Sequence, residues 1–446
     1  MIEAIHLKKH IVPLSKLVHY ILLVALFALG FVSLYYRILG ARVYLFDLMS
    51  IFFIAIVAIY FFRLNTIKRS MIREIFPLVC LISLMFLADT LSIVGALSNG
   101  HHDSLVQFSK AIVYRFTLAV FIISFLIFNA LTGFKYAYSY LKILIIMVLL
   151  SSLYQFMFIF FTLSLDVNLD EIIWPLLSFG SWVPSEADGL IGDGAGFLFM
   201  RHGGFATNPN ILVAQIICVV PIIAALAFST PTKSWVVLLS IFILSILATL
   251  SRSGMAGLVI IFLLFPLFFK VRARPYAKYL IFFGFLTSLL LAVDLNNDLS
   301  LLAGLYNVMI ERVQGEGYFE SSRYRLVQAG IDMWSMYPIF GVGLSSSPVL
   351  LEGYDITGLT GANLHNYWLQ IFAEKGIFAI VTVVFYLFIF YSGIRQGNVY
   401  GSALSLSLVC LCILGFTNSA LSSPFIQVFL VVLYCVGHKN FRRQLV

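Results

Sequence analysis

Charge is scarce in this sequence. Asp, Glu, Lys and Arg make up 11% of its 446 residues, less than half the roughly 25% of an ordinary soluble domain, so a chain wrapped in water on all sides is excluded. Cysteine is sparse as well. Cys80, Cys218, Cys410, Cys412 and Cys435 all fall in apolar runs with no CxxC or paired-ligand spacing, which argues against a disulfide framework or a cysteine metal site. No Walker motif is present, so a nucleotide does not supply energy through that route. No internal repeat or low-complexity tract stands out, which weakens an inverted-repeat transporter reading. The apolar segments are continuous rather than alternating, which excludes a membrane β-barrel.

What the chain has in abundance is hydrocarbon: 61% hydrophobic residues and a mean hydropathy of +1.01. A helix needs about 20 mostly apolar residues to cross a bilayer. Hydropathy places such runs at 17–36, 43–62, 75–97, 111–131, 141–165, 210–228, 235–250, 254–269, 278–293, 366–392, 399–420 and 424–437. The fold class expected is an all-α polytopic membrane protein with about 12 transmembrane helices. The first residues do not end in a small-residue cleavage site, so the first run is expected to remain as a span. Four regions follow: a five-span region at 1–165, a loop plus spans six to nine at 166–293, a large loop at 294–365, and the last three spans and tail at 366–446.

Net charge is +8, but the placement of the charge says more than its sum, and no nucleic-acid partner is expected. With the N-terminus inside and the spans threaded alternately, 18 of the 28 Lys and Arg residues fall in cytoplasmic segments and eight on the opposite face, with Arg115 and Lys375 inside spans. That bias predicts both termini in the cytoplasm. Acidic residues do the reverse, collecting in outer loops near 166–209 and 294–365. Connections of such length are usually functional or disordered, and their Trp, Tyr, Gly and Pro content favours folded loops. Asp47, Asp89, Arg115, Glu374 and Lys375 fall in the outer halves of spans, which suggests a polar cleft opening outward, since intramembrane charges need a cavity or a partner. Glu374 and Lys375 are adjacent and cannot face each other, so each requires a partner elsewhere.

Four motifs share that outer face. Arg201-His202-Gly203-Gly204-Phe205-Ala206-Thr207-Asn208-Pro209-Asn210 ends at a helix start, where free N–H groups and close backbone approach suit an anion. It equally suits a capped helix with an Arg at headgroup level. Thr249-Leu250-Ser251-Arg252-Ser253-Gly254 pins an Arg in a short turn, ready for phosphate oxygens or for lipid headgroups. Residues 321–334 form an amphipathic helix carrying Arg323 and Arg325, stopped near Pro338 and followed by Gly341-Val342-Gly343. The two arginines point to different sides of that helix, so one of them reaches a substrate. Finally, His365-Asn366 stands at the mouth of the tenth span, where an imidazole can exchange a proton near neutral pH or simply cap the helix.

In this order the motifs resemble the O-antigen ligase and polymerase superfamily over residues 195–395. His365-Asn366, nine residues and Gly376 resemble the ligase signature, although Ala379 departs from the Gly, Thr or Tyr that the fuller pattern carries three residues beyond that glycine. The resemblance implies a glycosyltransferase of the bacterial inner membrane with a large periplasmic loop between spans nine and ten. It implies an undecaprenyl-pyrophosphate-linked glycan donor, a lipid A core or glycan acceptor, a membrane-lipid surround, and no metal or cofactor. Arg201, Arg252 and Arg323 are expected to hold the pyrophosphate and His365 to act as catalytic base. Arg325, Asn366, Asn210 and Glu374 are expected in support. Repeat-unit polymerase is the alternative within the superfamily; a transporter or flippase is the alternative outside it.

Overall fold

The computed structural model describes residues 2–31, 35–38, 41–62, 69–165, 167–177, 202–206, 208–229, 232–249, 251–269, 318–351, 354 and 364–445. The helices are α1 (Ile2–Leu29), α2 (Leu45–Phe62), α3 (Arg69–Leu91), α4 (Ile93–Ser98), α5 (His102–Leu131), α6 (Ala137–Leu165), α7 (Leu169–Leu177), α8 (Pro209–Ser229), α9 (Lys233–Ala248), α10 (Arg252–Phe269), α11 (Tyr318–Met336), α12 (Ser347–Leu351), α13 (Tyr367–Lys375), α14 (Ile380–Gln396), α15 (Val399–Leu414) and α16 (Pro424–Leu445). One short antiparallel hairpin, β1 (Tyr35–Ile38) and β2 (Ala41–Tyr44), joins α1 to α2.

Five helical segments are long and apolar enough to cross a bilayer: Arg73–Ser98, His102–Leu131, Ala137–Thr162, Pro209–Ser229 and Tyr367–Gln396. Shorter apolar helices lie at Leu14–Leu29, Leu45–Phe61, Lys233–Ala248, Ser253–Phe269, Val399–Leu414 and Pro424–His438. Each of these coincides with a span read from hydropathy. The ninth expected span, 278–293, lies outside the described residues, as does much of both expected outer loops.

Three spans differ from their expected form. The first was expected to run to residue 36, but α1 stops at Leu29 before Gly30 and the chain turns into the hairpin; aromatic and β-branched residues suit strands, and hydropathy does not distinguish an apolar strand from an apolar helix. The eleventh was expected to reach 420, but α15 ends at Leu414 and residues 415–423 form a turn with a 3-10 segment at Ala420–Ser422. The tenth is broken into α13 and α14 by a 3-10 segment at Gly376–Ala379. Gly376 sits at φ +57°, and any Cβ there would run into the carbonyls of Pro338 and Ile339.

The core centres on α8, whose residues from Leu212 to Ala225 are all buried. It packs against α9, α10, α15 and α16, and Ser407 on α15 donates to the Cys218 carbonyl at 2.8 Å. Around the outside, large apolar side chains such as Phe52, Leu87, Phe116, Phe160, Leu263, Leu267 and Leu387 are exposed. That apolar exterior is the inverse of a soluble surface and suits acyl chains.

Candidate active site

At one end of the bundle a cavity of about 530 Å³ opens between elements distant in sequence. Its lining includes the apolar residues Leu29, Phe31, Phe46 and Ile211 and the polar residues Asn208, Asn210, Ser345, His365, Asn418, Ser419, Ser422 and Ser423. Helix α5 contributes Gln107, Lys110, Ala111, Tyr114 and Arg115, a three-and-four spacing that puts one helix face on the cavity. Arg115 lies about 7.5 Å further along the helix axis than Lys110 at 1.5 Å per residue. Two cations are thus displayed at different depths.

The segment carrying His365 is fixed from several directions. Asn366 is the N-cap of α13, its side-chain oxygen accepting from the Leu369 N–H at 3.1 Å. The Tyr367 N–H donates to the Gly415 carbonyl at 2.7 Å, and Trp368 Nε1 donates to the Cys412 carbonyl at 2.8 Å. The loop of Pro338 to Gly343 is stitched to the other end of α13: Val342 N–H donates to Ala373 O at 2.8 Å and Gly343 N–H to Glu374 O at 3.1 Å. Gly341, at φ +70°, lies against the Glu374 backbone where a Cβ has no room. That contact accounts for the glycine-rich turn.

His365 itself is exposed and sits at φ +51°. Among the described residues only Phe134, Ser345 and His365 are non-glycines with positive φ, and two of these three line the cavity. Left-handed backbone at such residues costs on the order of 1–3 kcal/mol and persists where surrounding structure imposes it, often at functional sites.

The Asn-Pro-Asn and Ser-Arg-Ser-Gly motifs meet directly. Ser251 Oγ donates to Asn210 Oδ1 at 3.1 Å and accepts from the Gly254 N–H at 3.3 Å, so it caps α10 while tying that helix start to a cavity-lining residue. Arg252 is the first residue of α10. The preceding loop is anchored by His202, which is buried. Its Nδ1 accepts from the Gly204 N–H at 3.0 Å, so the ring proton sits on Nε2, which donates to Asp170 Oδ2 at 3.0 Å. Tyr154 donates to the other oxygen of Asp170 at 2.6 Å, and His202 stacks on Phe158.

Of the residues expected at the site, His365 and Asn210 line one cavity. Arg325 is exposed on α11 and is not among the lining residues. Asn366 is occupied as a helix cap. Glu374 is buried and is not among the lining residues, accepting from Ser347 at 2.6 Å and Gln370 at 3.0 Å. Its neighbour Lys375 pairs with Asp89 of α3, both side chains nearly inaccessible, and Arg115 interacts electrostatically with the same carboxylate. Arg201 and the side chains of Arg252 and Arg323 lie outside what the structure describes. Lys110, Gln107, Tyr114 and the turn at 418–423 are cavity residues that no motif had singled out. For α5, helical spacing of polar residues on an otherwise apolar span was the available signal.

No curated protein matches the chain. Residues 235–384 match a family model described as O-antigen ligase, a segment that runs from α9 into α14 and includes Arg252, Arg323 and His365. With its many apolar helices and this match, the chain is a multi-pass membrane protein that carries, at residues 235–384, the domain of the O-antigen ligase and polymerase superfamily.

Proposed function

We propose that this protein transfers a glycan from undecaprenyl pyrophosphate to an acceptor at the periplasmic face of the bacterial inner membrane, with both termini in the cytoplasm. The observation that carries this reading is the composition of one cavity: apolar side chains, two cations, uncharged hydrogen-bonding groups and His365. A lipid-linked glycan diphosphate combines the matching three parts: hydrocarbon, dianion and sugar. In this reading His365 takes the proton from the acceptor hydroxyl as that oxygen attacks the anomeric carbon, and the bond from that carbon to the diphosphate oxygen breaks. Attack from the opposite face inverts the configuration. Arg201, Arg252 and Arg323 hold the diphosphate, because guanidinium forks match phosphate oxygens and stabilise the charge that gathers on the leaving group. Lys110 and Arg115 add positive charge from α5.

The acceptor that fits best is the lipid A core, since His365-Asn366 and Gly376 follow the ligase spacing. Repeat-unit polymerase is the second reading, favoured by Ala379, which departs from the fuller ligase pattern and is wholly buried. Lipopolysaccharide from a deletion strain separates the two on a gel. The ligase reading predicts core without a ladder and accumulated lipid-linked polymer. Core bearing a single repeat would make it a polymerase, and an unchanged ladder would reject both.

A further inference from the structure

Two polar groups on residues that line the cavity have no hydrogen-bond partner among the described residues. Asn418 Nδ2 and Ser423 Oγ are both buried, their residues 3% and 7% exposed, and both residues line the cavity. They belong to the turn between α15 and α16, beyond the family-matched segment. Every other polar side chain of that turn from Ser419 to Ser422 is used internally: Ser419 Oγ donates to Gln370 Oε1 at 2.8 Å and Ser422 Oγ to the Ser419 carbonyl at 2.7 Å.

The orientation of Asn418 is set by the backbone. Its Oδ1 accepts from the Ala420 N–H at 3.0 Å; the reverse orientation would oppose two N–H groups, so the amide NH₂ is held away from the turn. The turn is itself braced by the chain Ser419–Gln370–Glu374–Ser347, which ties it to the helix that follows His365. A buried donor left unpaired is a standing cost to the fold. A ligand that completes such a group is one way the cost is offset.

We infer that Asn418 and Ser423 read hydroxyl groups of the glycan's first sugar, Asn418 as donor and Ser423 as donor or acceptor, so that this turn sets sugar specificity. The inference rests on the proposed function. Both groups are uncharged, as suits neutral pyranose hydroxyls, while the cations Lys110 and Arg115 on α5 are suited to the diphosphate. A site that hydrogen-bonds a hydroxyl discriminates strongly against analogues lacking it, because its own groups are then stranded.

The test uses the full-length protein in nanodiscs and two probes: bare undecaprenyl diphosphate, and the lipid-linked glycan pool extracted from a strain deleted for the gene. Ser423→Ala, which removes no hydrogen bond among the described residues, and Asn418→Ala are each compared with wild type. Affinity for the glycan-bearing lipid is expected to fall at least tenfold while affinity for the bare lipid stays within twofold. The bare lipid also reports that each variant is folded. Equal losses on both probes, or no loss on either, would overturn the assignment, whereas a wild-type protein that binds neither lipid would overturn the proposed function itself. Ser423→Ala should also leave the melting temperature unchanged or raised; a marked drop would make the hydroxyl structural instead.

Discussion

Two histidines near the cavity have opposite environments, and the difference assigns their work. His365 is exposed, held in left-handed backbone and turned to the cavity. An imidazole is the side chain suited to taking and returning a proton near neutral pH. His365→Ala is expected to lower transfer by about 10²–10⁴-fold, the usual worth of a general base, with normal protein levels in the membrane; wild-type transfer would remove it from the mechanism. His202 is locked instead, one nitrogen accepting from Gly204 and the other donating to Asp170. His202→Ala strands the buried Gly204 N–H and removes one donor from the partly buried Asp170, so about 1–3 kcal/mol of stability should be lost. Thermal unfolding measures that loss, and turnover per folded molecule should fall far less than for His365→Ala. The sequence pointed to His365 because it begins a helix beside Asn366. His202 was legible only as part of a glycine-rich loop, since Tyr154 and Asp170 are recruited from α6 and α7.

At the scale of elements, the break in the tenth span is the organising feature. Gly376 lets α13 end early, and the Pro338–Gly343 loop packs into the gap with backbone hydrogen bonds. The adjacency of Glu374 and Lys375 in sequence already required two separate partners. The structure supplies Ser347 and Gln370 for one and Asp89 for the other. Which span carried the partner was not legible, because pairing across helices leaves no trace in local periodicity. Asp89 faces Lys375 and also interacts with Arg115, so the two sides of the pair are not equivalent. Lys375→Met should cost on the order of 3–5 kcal/mol, the usual result of leaving one buried charge. Asp89→Asn should cost more, as it strands two cations, and the double variant should recover part of the loss. Melting curves in detergent decide this; strictly additive losses would mean the pair is not coupled.

For the whole molecule, the described residues of the family-matched segment contribute Ser345 and His365 to the cavity lining. The rest comes from α1, α2, α5, α8 and the turn before α16. Hydropathy therefore gave the helices well and their meeting place poorly: spans are local properties, but a cavity depends on which helices pack together. In the proposed function this shared cavity breaks a glycan–diphosphate bond rather than carrying an intact glycan lipid across the bilayer. The most direct measurement places purified protein in proteoliposomes with the lipid-linked glycan and the candidate acceptor, and follows the lipid product. Transfer releases bare undecaprenyl diphosphate matched by glycan on the acceptor, and both should be absent with His365→Ala. Movement of uncleaved glycan lipid between leaflets, with no free diphosphate formed, would contradict it.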